Sequence, residues 1–117
     1  KVSFAPAAQA PVIEPQVYEA FLRARSIITE GTRLFDAAAA EATPLLEQVT
    51  AAAPDFAAAW ELLAAARAWT LRSGHRAGGY AEGRAGVVEA AEAALRVDPR
   101  RGGAYAALAM LEPAPLP

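Results

Sequence analysis

The chain has no cysteine, one histidine and one methionine in 117 residues. Without thiols there is no disulfide frame, no thiolate metal site and no cysteine nucleophile, although this absence does not by itself fix a redox compartment. The single imidazole, His75, has no further imidazole or carboxylate arranged around it at ligand spacing, which leaves neither a metal site nor the base of a catalytic triad. Charge of one sign is also lacking. Eleven Lys and Arg stand against 13 Asp and Glu, a formal net charge of −2, mixed along the chain. That balance provides no basic patch for phosphate neutralisation and argues against a dedicated nucleic-acid module. Long apolar runs are missing too. Glu41, Glu47, Glu61, Arg67 and Arg72 interrupt them well before the ~18 residues a membrane span needs, and there is no signal-peptide pattern. The expectation is a soluble chain, with cytoplasm and periplasm both open and cytoplasm preferred.

Hydrophobic residues make up 55% of the chain and charged residues 21%, a globular balance at a length sufficient for one domain with a core. Much of the hydrophobic share is alanine, the best helix former and the smallest side chain above glycine. The composition therefore predicts an all-α protein of closely packed helices. The chain opens at Lys1 and closes on a proline-rich stretch, and it reads as a piece of a longer polypeptide.

Residues 1–15 carry Pro6, Pro11 and Pro15 and read as a linker. From Gln16, apolar residues Val17, Tyr18, Phe21, Leu22, Ala24, Ile27 and Ile28 recur at helical spacing, which predicts a first helix to about Thr29, closed by Gly31. Thr32 can cap a second helix that runs to Pro54. Pro44 lies inside it, so the segment is either one kinked helix or two, with Thr43 as the second cap; the single kinked helix is preferred. Asp55 is placed as the cap of a third helix reaching about Arg72. Five glycines between Ser73 and Gly86 predict a flexible connection, followed by a fourth helix over about 84–97 and a fifth from near Arg101 to Pro113. Residues 16–112 form the helical domain and 113–117 a proline-rich tail.

Two stretches align in register. Placing Pro54 on Pro99 puts Ala59 on Ala104, Trp60 on Tyr105, Leu63 on Leu108 and Ala64 on Ala109. A looser match near Pro15 uses Tyr18, Phe21 and Leu22. This pattern of aromatic, leucine, small residue and terminating proline resembles the tetratricopeptide repeat, with Val87, Ala91, Ala94 and Pro99 in second-helix positions. Ala42, Leu46, Val49 and Pro54 hold those positions in the preceding unit. The units are longer than the family's repeat of about 34 residues, so insertions are expected. The closer resemblance is to degenerate repeat arrays attached to bacterial signalling proteins, either nucleotide cyclases or winged-helix transcriptional regulators. It rests on Val17 to Arg25 as an opening helix and Ala53 to Trp60 as an inter-repeat corner.

That resemblance implies an α-solenoid of antiparallel helix hairpins, about five helices, that is non-enzymatic and needs no cofactor or metal. Its partner is a protein, a peptide or a second copy of itself. Mapping the family's inward positions gives Gln16, Glu19, Arg23 and Ser26 from the first unit and Glu61, Ala65 and Trp69 from the next. Trp60 and Trp69 lie nine residues apart, about 180° around a helix, so if Trp60 faces the core, Trp69 faces a groove, a loop or a partner. Tyr105, Leu108 and Leu111 on the last helix are candidate self-association residues, because a solenoid end left without a polar cap exposes its apolar face. The alternative function is a small-molecule sensor with a pocket between Trp69 and the glycine-rich loop 73–86.

Overall fold

The structure, a computed structural model, describes residues 12–30, 35–73 and 78–111. Expectations for linker residues 1–11, Gly31, Thr32, His75 and the tail fall outside the described residues, while Pro15, expected to end the linker, is the first residue of α1. Five α-helices and no strand occur among them: α1 Pro15–Glu30, α2 Phe35–Ala52, α3 Ala57–Ser73, α4 Tyr80–Val97 and α5 Gly102–Ala109. The all-α reading is correct.

Pro44 sits inside α2, which nevertheless continues as one helix. Alanines on both sides supply helix propensity at no side-chain entropic cost, and the Thr43 hydroxyl donates to the Ala39 carbonyl at 2.7 Å. Two sequence expectations need correction. Asp55 does not cap α3 as its flanking residue; it lies in the turn, and the residue before Ala57 is Phe56, whose carbonyl accepts the amides of Ala59 and Trp60. The glycine-rich connection is also shorter than expected, because α4 begins at Tyr80 and contains Gly83 and Gly86. Glycine in a helix costs about 1 kcal/mol relative to alanine, but this start is secured locally. The Glu82 carboxylate accepts the Gly79 amide at 3.1 Å, one half of a capping box. Just ahead, Gly78 has φ +86°, a left-handed conformation that a side chain would strain.

Packing is mostly sequential. α1 lies on α2, α2 on α3 and α3 on α4, while α5 contacts both α3 and α4. The core is built largely of alanines: Ala24, Ala39, Ala42, Ala59, Ala64, Ala90, Ala91, Ala94 and Ala104 are fully buried. Small residues let the helix backbones approach closely, and among the described residues the large side chains that are wholly enclosed are Leu46, Leu63, Val49 and Val87. Helix α3, buried along much of its length at Ala59, Leu63, Ala64, Ala66, Ala68 and Leu71, is the element that α2, α4 and α5 share.

The two aligned corners have the same hydrogen bonds. In the first, the Ala53 amide donates to Val49 O at 2.8 Å and the Phe56 amide to Ala53 O at 3.0 Å. In the second, Asp98 donates to Ala94 O at 2.8 Å and Arg101 to Asp98 O at 3.2 Å. Each corner is then tied by its aromatic: Trp60 Nε1 donates to Pro54 O at 2.7 Å, and the Tyr105 hydroxyl to Pro99 O at 3.1 Å, six residues back in both cases. What fills the corner differs. Phe56 inserts against Phe21 and Tyr18, with ring centroids 4.6 and 6.2 Å away. Arg101, its counterpart, instead meets the Glu61 carboxylate at 3.3 Å.

Candidate functional site

A groove of about 410 Å³ runs over α3 between α1 and α5, lined by Phe21, Arg25, Ala58, Glu61, Leu62, Ala65, Arg101 and Gly103. Ala58, Glu61, Leu62 and Ala65 follow helical spacing on one face of α3, and Trp69 continues that face one turn beyond Ala65. Trp69 is partly buried, with the Arg72 guanidinium 5.7 Å from its ring centre.

Glu61 is the polar centre of the groove. One carboxylate oxygen accepts the Gly103 amide at 2.7 Å and the other accepts Arg101 Nη1 at 3.3 Å. The residue flanking α5, Arg101, makes no side-chain cap of its own, so a carboxylate from α3 satisfies an amide in the first turn of α5. Negative charge at a helix N-terminus is favourable for the same reason. Arg101 also faces Asp98, whose carboxylate oxygens lie 3.3 Å from Arg100 Nε and 3.5 Å from Arg101 Nε. The Arg100 amide donates to Asp98, and that bond, followed by the Arg100 side chain, holds the Asp98 carboxyl below the usual carboxylate range.

With both Glu61 oxygens engaged, the charge that the groove presents outward is Arg25. It is exposed, its guanidinium stands 5.7 Å from the Phe21 ring centre, and no carboxylate partners it among the described residues. The groove therefore combines an apolar floor with one available cation.

The sequence-derived residues divide. Glu61 and Ala65 line the groove and Trp69 extends it. Gln16, Glu19, Arg23 and Ser26 do not join them, because at 100° per residue they centre roughly 160° around α1 from Phe21 and Arg25. The loose match at Tyr18 carries no information on helix phase, so the mapped residues lie on a face of α1 other than the one that borders this groove. Phe21, Arg25, Arg101 and Gly103 were missed as groove residues. Only the Arg101–Phe56 equivalence between the corners could have flagged one of them. Of the self-association candidates, Tyr105 is 54% exposed, Leu108 is partly buried and Leu111 is buried in the chain's own core. Leu111 is thus unavailable as a surface contact.

On the opposite side of α3, Arg67 links three helices. Its Nη2 donates to Glu47 of α2 at 3.1 Å, and its Nη1 to Glu89 and the Gly86 carbonyl of α4 at 3.2 and 2.8 Å. No group of three or more His, Asp or Glu among the described residues could hold a metal ion. No described helix is long and apolar enough to cross a membrane.

No family model, curated protein or solved structure matches this chain.

Proposed function

We propose that the chain is a tetratricopeptide-like, non-catalytic docking module of a larger bacterial signalling or regulatory protein, which takes a polypeptide along the α1–α3–α5 groove. The observation that carries this reading is the duplicated corner. The residues aligned by sequence form the same backbone turns and the same aromatic-to-proline-carbonyl bond, and in both cases this places a helix bearing an aromatic and small residues against its neighbours. The groove supports it further, since an apolar floor with Arg25 at its edge suits an extended or helical segment carrying an acidic residue.

Peptide-display selection on the immobilised domain, counter-selected with Ala65→Arg, tests the reading. The expectation is a family of acidic-apolar peptides that Ala65→Arg no longer binds. Peptides that bind both forms equally would argue against the groove. Self-association through Tyr105 and Leu108 is the other interaction of this kind, and light scattering across micromolar concentrations reads it directly. A mass that stays monomeric at every concentration removes it.

A small-molecule sensor has one specific observation in its favour, a second cleft bordered by Gly83 and Gly86. Trp69 is not among the residues that line this cleft, which lies on the other side of α3.

A further inference from the structure

The second cleft, about 440 Å³ in volume, is enclosed by α2, the C-terminal half of α3 and the first turns of α4. We propose that it is a binding site for a small organic cation, an alkylammonium or guanidinium group with a short apolar body. The reason is the balance of donors and acceptors. Thr43 and Thr70 both spend their hydroxyl protons on helix carbonyls, Ala39 O at 2.7 Å and Arg67 O at 2.9 Å, and so turn lone pairs outward. Pro44 has no N–H to give the Ala40 carbonyl, and both residues border the cleft.

Glu47 uses one oxygen for Arg67, and Glu82 one for the Gly79 amide. The second oxygen of each has no partner among the described residues. Among the described residues of the lining the one cation is Arg67, which directs both terminal nitrogens at Glu47, Glu89 and the Gly86 carbonyl. The cleft therefore offers acceptors and negative charge, and its remaining walls at Ala40, Pro44 and Leu71 are apolar. A ligand that fits donates hydrogen bonds to these acceptors, carries positive charge and brings an apolar stem. The volume lies at the small end of ligand pockets, which run from about 300 to 1,000 Å³. This site is on the face of α3 opposite the peptide groove and does not depend on the docking reading.

The test is a titration of the ¹⁵N-labelled chain, followed by amide shifts, with n-butylammonium, n-butanol and butyrate as probes. Saturable shifts at Ala40, Thr43, Glu47, Thr70, Gly83 and Gly86 are expected with n-butylammonium alone. Glu47→Gln with Glu82→Gln keeps the hydrogen-bonding shape, and unchanged helical circular dichroism checks its fold; it should weaken binding about tenfold, with each lost charge pair worth a few-fold. Putrescine and N-acetyl-lysine methylamide then separate the sources: tighter binding of the first assigns a free amine, of the second a partner's lysine side chain. Shifts that never saturate, an equal response to butanol or butyrate, or undiminished binding by the folded double variant would overturn the proposal.

Discussion

The Glu61 carboxylate and the Gly103 amide lie 2.7 Å apart on different helices, and this bond leaves no room for a side chain at position 103 unless Glu61 moves. A Cβ built there would lie 2.6 to 2.8 Å from Oε2, Cδ and Cγ of Glu61. Gly102, next to it, has nothing within 4 Å of the same construction. Two adjacent glycines in one helical turn should therefore respond with opposite sign. Gly102→Ala gains helix propensity and reduces unfolded-state freedom, for about 0.5 to 1 kcal/mol of added stability. Gly103→Ala displaces Glu61, removes its cap and loses about 1 to 2 kcal/mol net. In a Glu61→Ala background the penalty disappears and Gly103→Ala becomes stabilising. Urea denaturation of the four-member cycle measures the coupling.

Arg67 joins α2, α3 and α4 from a largely buried position, whereas its carboxylate partners Glu47 and Glu89 are mostly exposed. Arg67→Met should cost about 1 to 2 kcal/mol through loss of the bond to the Gly86 carbonyl and of both carboxylate contacts. Glu47→Gln and Glu89→Gln should each stay within about 0.5 kcal/mol. Thermal melts of the three variants in low and high salt check the order, which should compress as salt rises.

The duplicated aromatic bonds make a paired prediction. Trp60→Phe and Tyr105→Phe each delete a donor to a proline carbonyl. Trp60 is partly buried and Tyr105 is 54% exposed, so the first should cost about 1 kcal/mol and the second less than about 0.5 kcal/mol. Chemical denaturation of both variants decides it.

Asp98 should set part of the acid limb of stability. Its folded carboxyl titrates below its ordinary value because the Arg100 amide and side chain favour the anion. A depressed folded pKa contributes stability that is present above the unfolded value, near 3.9, and is lost as pH falls through the lower folded value. Between pH 5 and about 3, wild type should therefore lose more stability than Asp98→Asn. Urea midpoints measured across that window check the difference in slope.

Helix number and the register between the corners were legible in sequence because both depend on local pattern: apolar spacing, proline stops and an aromatic at a fixed distance from a proline. The start of α4 was not, because Gly83 and Gly86 read as a break while the feature that overrides them, Glu82 on the Gly79 amide, involves one bond. The groove was half legible. Its α3 face follows from the repeat positions Glu61 and Ala65, but the phase of α1 depends on how Phe21 meets Phe56, a contact between distant residues. The cross-helix cap at Gly103 and the Arg67 bridge likewise join residues far apart in sequence, and no local signal precedes either.

The central claim is that a polypeptide binds along α1, α3 and α5, and chemical-shift mapping of a selected peptide on the ¹⁵N-labelled chain tests it most directly. The account predicts saturable shifts centred on Phe21, Arg25, Glu61, Ala65 and the Trp69 indole, abolished by Ala65→Arg. Shifts centred instead on Gln16, Glu19 and Arg23, or on the exposed side of α4, would contradict it.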